Sequence, residues 1–374
     1  MTGLSPSILI HGILTFAAAA LGTYVMRHTA RRLGLLAMPR ADRWHQQPVA
    51  LHGGVGFYPP FLLSACFLLW SAVTIDPMTP ADWMYSLPAH LRLGVAWLVG
   101  SLLMFAVGLW DDMSNIRPLT KLVCQLIAAS LFIVAGGTFL LTDSVVLNQV
   151  VTCFWFVGIT NAVNMLDNMD GLASGVVVIG SITLAVLAWG MGASVEASLG
   201  VPLGLMLAAA LAGFWVFNSA PASIFMGDSG SLSIGYLLAG LAVPTPLNGY
   251  LGLSSCDELL TTFSALIIPA LVLCIPIFDT TLVTVTRIWR AQPISQGGCD
   301  HISHRLVRLG IPESTAVHIL YLSSGIGCIL AILLQRFPSQ ALPWFVAFII
   351  VLIVSGAYMG RINLMGADTA RFRK

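Results

Sequence analysis

Between two long apolar runs the chain reads Asn161-Ala-Val-Asn164-Met-Leu-Asp167-Asn168-Met-Asp170-Gly171. One interpretation is a plain loop at a membrane surface, and the other is a polar face with a function. Asn161, Asn164 and Asn168 are spaced i, i+3 and i+7, so a continuing helix would place them on one face. Because ionisable groups at membrane depth are costly, we favour a functional face, with Asp167 and Asp170 beside it.

The composition excludes an ordinary soluble domain. The 374 residues are 57% hydrophobic and 9% charged, with a mean hydropathy of +0.89, whereas soluble domains carry about 25% charged residues. We therefore predict an all-α, polytopic integral membrane protein with a single transmembrane domain over residues 1–374. A net charge of +1 without a basic domain gives no indication of nucleic-acid binding. Seven cysteines without a CxxC pair predict neither a disulfide framework nor a zinc site.

Eleven apolar runs are long enough to cross a bilayer. They lie near residues 7–26, 54–75, 92–110, 119–137, 145–160, 172–190, 197–217, 230–246, 260–286, 314–335 and 341–359. With the amino terminus outside, fifteen of the seventeen basic residues fall on the inner side, and only Arg92 and Arg336 lie outside. The first run precedes its arginines, unlike a cleaved signal peptide. We therefore predict eleven transmembrane helices, an outer amino terminus, a cytoplasmic carboxyl terminus and cytoplasmic polar motifs.

Asp111 and Asp112 end the third apolar run. A helix C-terminus carries partial negative charge, so two acids there are unfavourable without a nearby cation. Lys121, in the opening turns of the next predicted helix, offers one positive group, with Gln125 one turn further on. A magnesium ion would offer more charge.

Phe225-Met-Gly227-Asp228-Ser229-Gly230-Ser231 opens the eighth run. The segment would serve as a turn and helix N-cap without further purpose. Free N–H groups at a helix start also form an anion site. A carboxylate beside a bound phosphate is typical of Mg²⁺ sites. We therefore predict a phosphate site here, with Asp228 as the metal ligand.

The longest inner loop contains Cys299-Asp300-His301-Ile-Ser303-His304-Arg305. Two histidines without a clear third ligand are weak evidence for zinc. Together with Arg305 they fit donors to phosphate or sugar hydroxyls, and a solvated basic loop is the alternative. Asp279, in the inner half of the ninth run, is costly unless it faces a polar interior. We expect it to brace the inner loop or the site.

A further segment, Asp42-Arg43-Trp44-His45, leads through Pro48 and His52-Gly53-Gly54 into the second run. The glycines would permit close approach of a helix or a ligand. Neither a GxxxxGK[ST] phosphate loop nor a G-x-S-x-G elbow is present in the sequence.

In this order and on one face, the motifs resemble the polyprenyl-phosphate N-acetylhexosamine-1-phosphate transferase family, which includes the phospho-N-acetylmuramoyl-pentapeptide translocase. The resemblance covers nearly the whole chain. It implies transfer of a sugar 1-phosphate from a UDP-sugar to a polyprenyl phosphate, releasing UMP, with Mg²⁺ or alternatively Mn²⁺. The product would be the first lipid-linked intermediate of a cell-envelope glycan. The implied place is the bacterial inner (plasma) membrane, with the active site of the transmembrane catalytic domain formed by cytoplasmic loops.

The resemblance also implies roles for individual residues. Asp111, Asp112 and Asp228 are expected to be catalytic, with Asp228 binding the metal. The remaining expected contacts are to substrate: Asn164, Asp167 and Asp170 in the nucleotide pocket, Phe225 stacked on uracil, and Lys121, His45, His301, His304 and Arg305. The UDP-N-acetylhexosamine, the polyprenyl phosphate and the bilayer are the expected partners. The oligomeric state is left open, with a homodimer among the alternatives.

One position departs from the family pattern. Initiating enzymes often read His-x-His-His in the inner loop, and here Ser303 takes the middle place. The absence of a translocase-like histidine run favours a plain N-acetylhexosamine, GlcNAc, over the muramoyl pentapeptide. An ion-coupled transporter using the same aspartates is the alternative from another class. Against it, the acids gather at one surface and the sequence has no internal repeat.

Overall fold

Thirteen α-helices and one small sheet form the described part of the chain, which is residues 6–38, 47–75, 88–190, 199–243, 258–293 and 298–361 of a computed structural model. The helices are α1 (Pro6–Leu33), α2 (Gly53–Ile75), α3 (Ala89–Ser114), α4 (Pro118–Val134), α5 (Val145–Leu166), α6 (Leu172–Gly190), α7 (Gly200–Asn218), α8 (Gly227–Ala242), α9 (Glu258–Val272), α10 (Cys274–Trp289), α11 (Ile302–Arg308), α12 (Glu313–Arg336) and α13 (Pro338–Arg361). Strands β1 (Leu36–Ala37) and β2 (Val49–Ala50) pair antiparallel.

Eight of the described helices are long and apolar enough to cross a membrane, namely α1, α2, α3, α5, α6, α7, α12 and α13. The pair α9 and α10 would add a ninth span, bent by 86°. These helices confirm the predicted all-α, multi-pass membrane protein. Two further expected runs correspond to α4, with 17 residues, and α8, with 16. The count of eleven spans therefore stays a prediction, as does their orientation.

The bend between α9 and α10 has a local chemical cause. Pro276 has no N–H, so it cannot donate to the carbonyl of Val272 one turn earlier. The Cys328 thiol on α12 contacts that carbonyl at 3.9 Å. Gly327 permits this approach, because a Cβ there would lie 2.7 Å from the carbonyl oxygen of Leu271. The break sets the direction of α10, the helix that carries Asp279.

Small residues bring α3 and α8 into close contact. A Cβ on Gly100 would lie 2.0 Å from the hydroxyl of Tyr236, and one on Gly108 would lie 2.3 Å from the carbonyl oxygen of Asp228. The indole N–H of Trp97 donates to the carbonyl of Leu237 at 3.0 Å, so the polar atom buried in this contact is satisfied. The packing places the end of α3, with its two aspartates, beside the beginning of α8.

A short backbone ladder joins the beginning of α2 to the segment before α8. Phe225 N–H donates to the carbonyl of Ala50, and Gly53 N–H donates to the carbonyl of Phe225, both at 2.8 Å. Gly54 N–H donates to the carbonyl of Met226, also at 2.8 Å. A Cβ on Gly54 would lie 2.4 Å from the backbone nitrogen of Gly230. The two glycines noted in the sequence therefore permit the close backbone approach that was expected of them.

Candidate active site

The centre of the site is a group of side chains that we call the carboxylate cluster: Asp111, Asp112, Lys121, Asn164 and Asp228. The Lys121 ammonium contacts Asp111 Oδ2 and lies 2.6 Å from Asp228 Oδ2. Asp111 Oδ1 also accepts the backbone N–H of Ile116 at 2.7 Å. The predicted compensation by Lys121 is confirmed for Asp111.

Asp112 has a different position from its neighbour. Its Oδ1 accepts the N–H of Asp228 at 2.7 Å, and its Oδ2 accepts the N–H of Ser229 at 3.1 Å. Asp112 therefore caps α8 from another helix, where the positive end of the helix dipole favours a carboxylate. Gly227 adopts φ +77°, and a Cβ there would lie 2.8 Å from Asp112 Oδ2. The expectation that these N–H groups are free for a phosphate is wrong, because the close packing of α3 on α8 brings Asp112 onto them.

Asn164 connects α5 to the same cluster. Its side-chain Nδ2 donates to Asp228 Oδ1 at 3.0 Å and to the Ser231 hydroxyl at 2.8 Å. One turn earlier, Asn161 exchanges two hydrogen bonds with Gln125 of α4, at 2.9 and 3.2 Å. These bonds fix α4, α5 and α8 relative to one another at the level of Lys121.

The expectation of one continuous amide face is wrong for Asn168. Helix α5 ends at Leu166, so Asn168 lies in the following turn. Its Oδ1 accepts a hydrogen bond of 2.6 Å from the Ser303 hydroxyl. The chain then turns at Gly171, which adopts φ +75°. The hydroxyl of Tyr321, a residue that sequence reasoning missed, donates to the Gly171 carbonyl at 2.6 Å.

Asp167 and Asp170 lie in this turn, next to the carboxylate cluster. Burial raises the pKa of Asp167 to about 7. The carboxylates of Asp228, Asp112 and Asp170 contribute part of this rise, because like charges disfavour ionisation. Asp170 Oδ2 accepts the N–H of Ala222 at 2.8 Å and so holds the segment before Phe225. The structure therefore places both predicted acids at the same site.

A second group, which we call the histidine cluster, consists of Asp279, His301 and His304. Asp279 is fully buried, and its two oxygens accept His301 Nδ1–H and the N–H of Ile302, each at 2.7 Å. These bonds attach α11 to α10, which confirms the expectation that Asp279 braces the inner loop. Burial lowers the pKa of His304 to about 4, so its imidazole is neutral near pH 7.

Two arginines hold the segment from Asp300 to the end of α11 in place. Arg287 forms a bidentate pair with Asp300, at 2.6 and 2.7 Å. Burial opposes the ionisation of Asp300, but the Arg287 guanidinium nevertheless holds its pKa below the usual range. Arg305 is completely buried and donates to the carbonyls of Asp300 and Met359 and to the Thr286 hydroxyl. In this geometry Arg305 braces α11, and its predicted contact with substrate stays a prediction.

The two clusters are joined through the turn after α5. The Ser303 hydroxyl on α11 bonds Asn168, and an apolar cluster packs α11 and α12 against the same turn. Its members include Leu166, Met169, Ile302, Leu306 and Leu320. The structure thus brings the predicted motifs to one end of the helix bundle. His45 lies outside the described residues.

Magnesium fits the donors that are present. Within the described ranges, no group of three or more His, Cys, Asp or Glu side chains forms a ready-made metal cage. Mg²⁺ is usually held by only one or two carboxylates, with water and substrate phosphates completing the shell. Asp228 supplies such a carboxylate, and Asp111, Asp112 and Asp167 surround it with one ammonium nearby. The position between Asp111 and Asp228, where Lys121 lies, is suited to a cation.

The chain is similar in sequence to known proteins. Residues 95–245 match Glycosyl transferase family 4. The chain is 31% identical over 356 residues to a probable undecaprenyl-phosphate N-acetylglucosaminyl 1-phosphate transferase of Bacillus subtilis, covering 93% of this chain and 89% of that one. It is also 31% identical over 333 residues to a decaprenyl-phosphate N-acetylglucosaminephosphotransferase of Mycolicibacterium smegmatis, covering 82% and 78%.

A more distant relative has a different name. A phospho-N-acetylmuramoyl-pentapeptide-transferase of Limosilactobacillus fermentum is 30% identical over 258 residues, covering 63% of this chain and 75% of that protein. The fold and the site define a multi-pass membrane transferase. The chain belongs to the family of polyprenyl-phosphate N-acetylhexosamine-1-phosphate transferases.

Proposed function

We propose that this protein transfers N-acetylglucosamine 1-phosphate from UDP-N-acetylglucosamine to a polyprenyl phosphate, with magnesium, and releases UMP. The product is the first lipid-linked intermediate of a cell-envelope glycan. The observation that carries the proposal is the carboxylate cluster, in which Asp228 is held by Lys121 and Asn164 where the ends of α3, α4, α5 and α8 meet. The names of the relatives that span most of the chain support GlcNAc as the sugar.

In the reaction, an oxygen of the polyprenyl phosphate attacks the phosphorus that bears the sugar. The bond from that phosphorus to the bridging oxygen of the diphosphate breaks, and UMP leaves with that oxygen. Phosphoryl transfer depends mainly on positioning and charge neutralisation. Magnesium, held by Asp228, would supply charge neutralisation at the phosphate oxygens. Lys121 supplies a further positive charge beside the metal position, from a side chain that contacts both Asp111 and Asp228.

The two adjacent aspartates then have separate roles. Both oxygens of Asp112 accept backbone N–H groups of α8, so Asp112 positions Asp228. Asp111 has one oxygen on the side-chain ammonium of Lys121, a partner that can move. We therefore assign to Asp111 the role of general base, which assists removal of a proton from the polyprenyl phosphate. Most of the acceptor phosphate is already dianionic at neutral pH, since its second pKa is about 6.

For the uridine and sugar groups, the proposal keeps the predicted contacts. Phe225 is half-buried, and hydrogen bonds hold its backbone to Ala50 and Gly53, which gives a fixed base for stacking on uracil. Asp167 and Asp170 lie in the turn after α5, and Asp170 bonds the N–H of Ala222 in the segment before Phe225. His301 and His304 of the histidine cluster are proposed to contact the sugar phosphate. His45 is proposed to contribute from the segment before β2.

The proposed topology has eleven spans, an outer amino terminus and the active site at the cytoplasmic face of the inner membrane. Its support is the segregation of fifteen of seventeen basic residues to one side. The test is to place single cysteines at Ser114 and Ser314, both exposed, in a cysteine-free background. Membrane-impermeant thiol reagents should leave both unlabelled in intact cells and label both after lysis. Ser303 is unsuitable because it is completely buried.

Turnover is tested with purified protein, polyprenyl phosphate, magnesium and a panel of UDP-sugars, with UMP release as the readout. UDP-GlcNAc should give the highest kcat/KM. A preference for the UDP-muramoyl pentapeptide would favour the activity named for the Limosilactobacillus relative. No UMP release from any donor, together with ion flux in vesicles, would favour a transporter. Light scattering of the same preparation would test for a homodimer.

The metal role of Asp228 has a direct test. Asp228→Asn should abolish UMP release, and magnesium should no longer raise the melting temperature of the protein in detergent. Asp143→Asn, an exposed acid in the loop before α5, is the matched control and should retain both responses. Magnesium-dependent stabilisation that is unchanged in Asp228→Asn would contradict this role.

A further inference from the structure

His52 has a backbone conformation that residues other than glycine seldom adopt. Its φ is +64°, in the left-handed region, and α2 begins at the next residue. Glycine is the usual residue at such positions; asparagine, aspartate and histidine are the most frequent of the others, and each adopts this conformation at a cost. The ladder from Gly53 and Gly54 to Phe225 and Met226 fixes the turn. The strain is therefore maintained by contacts that also position the beginning of α8.

The side chain of His52 is buried but incompletely satisfied. The residue is 8% exposed, and its Nδ1 has no hydrogen-bond partner. This nitrogen lies 3.6 Å from Oδ2 of Asp112, beyond hydrogen-bond distance. A buried polar atom without a partner is unusual in a native fold and calls for an explanation.

A second orphaned polar atom lies next to the same carboxylate. The hydroxyl of Ser229 is buried and has no partner. The backbone N–H of Ser229 donates to Asp112 Oδ2, the atom that His52 Nδ1 faces. Two buried hydrogen-bonding groups without a partner, His52 Nδ1 and the Ser229 hydroxyl, thus lie on the same side of Asp112.

We propose that His52 is a positioning residue for the transferase reaction, which donates its Nδ1–H to Asp112 Oδ2 when substrate is bound. The required movement is small, about 0.6 Å from the present 3.6 Å to an ordinary hydrogen bond of about 3.0 Å. Asp112 caps α8 at Asp228, so a third donor on Asp112 fixes Asp228 in its reactive position. The inference rests on the proposed function and adds to it a residue that the metal and substrate roles do not use.

The kinetic test uses three variants. His52→Gly suits the left-handed backbone and removes the donor. His52→Asn suits the backbone and retains a side-chain N–H donor. His52→Leu retains bulk but cannot donate. We expect His52→Gly and His52→Leu to lower kcat by about 10- to 100-fold, which is the factor that one hydrogen bond to a charged group contributes. The KM for UDP-GlcNAc should change by less than about threefold. His52→Asn should recover most of the loss.

Chemical rescue separates the donor from the shape of the ring. Imidazole added to His52→Gly should raise kcat, whereas 1-methylimidazole, which has no N–H when neutral, should not. Equal rescue by both compounds would overturn the donor role. So would a His52→Gly variant with wild-type kcat, or a His52→Asn variant no more active than His52→Leu.

A spectroscopic measurement judges the inference independently of turnover. In protein labelled with ¹⁵N-histidine, the His52 signals are assigned by their loss in His52→Asn. With UMP and magnesium present, Nδ1 should have the chemical shift of a protonated ring nitrogen. An unprotonated Nδ1 would overturn the proposal whether or not the wild type turns over. Failure of the wild type to release UMP, with Nδ1 protonated, would instead count against the proposed function alone.

Discussion

Replacement of Asp279 by asparagine tests how the inner loop is held. Asp279 has no exposed surface, and each carboxylate oxygen accepts one donor at 2.7 Å, from His301 Nδ1 and from the N–H of Ile302. Asparagine has one acceptor oxygen and one donor NH₂ group. In either orientation of the amide, one of the two donors of α11 therefore faces another donor.

The magnitude follows from burial. A hydrogen bond to a charged group contributes about 1.5–3 kcal/mol, and a buried group that loses its partner has a further desolvation cost. We expect Asp279→Asn to lower the free energy of unfolding by about 3 kcal/mol. For a chain of 374 residues, with an unfolding entropy of about 2.1 cal/mol/K per residue, the melting temperature should fall by roughly 4 °C. Because His301 then loses its fixed orientation, kcat should also fall, by at least about tenfold.

Thr280→Val is the matched control. Thr280 is the next residue on α10, and its hydroxyl is buried without a partner. Removal of an unsatisfied hydroxyl should leave the melting temperature unchanged or raise it. Both variants are purified in one detergent, and melting and UMP release are measured together. An Asp279→Asn protein with the melting temperature of the wild type would refute the bracing role.

Three further outcomes are expected. The pKa of His304 is about 4 in the folded protein against 6.5 in the unfolded chain, so between these values the unfolded state binds more protons and stability falls as the pH falls. His304→Gln should flatten the pH profile of the melting temperature, and an unchanged profile would contradict this. Lys121→Met should lower the magnesium concentration needed for half-maximal stabilisation, because the ammonium between Asp111 and Asp228 no longer competes with the ion. Weaker magnesium binding in this variant would contradict the expected competition. Because we expect single displacement, labelled UMP should not exchange into UDP-GlcNAc when polyprenyl phosphate is removed. Exchange that disappears in Asp111→Asn or Asp112→Asn would instead indicate a covalent aspartyl intermediate.

The all-α, multi-pass class of the protein could be predicted from the sequence because it depends on local properties. Hydrophobic length, helix-scale runs and the distribution of basic residues do not require knowledge of which helices touch. The expected runs correspond to described helices even where, as in α4 and α8, the helix is short. The residue types at the site could also be predicted, since Asp228, Asp111 and Lys121 occur in motifs whose chemistry depends on short-range spacing.

The partners of those residues depended on contacts between distant segments. Spacing alone placed Asn168 on the face of a continuing helix, but α5 ends at Leu166 and the turn is held by Tyr321, 150 residues away from Gly171. Asp112 caps α8 because Gly100 and Gly108 let α3 approach it. His52 faces Asp112 because the backbone of Gly53 and Gly54 pairs with residues before α8. Sequence alone therefore determined the apolar runs and the set of reactive groups, because both are local properties. The tertiary structure decided which hydrogen bonds those groups make, because helix packing brings each donor to its acceptor.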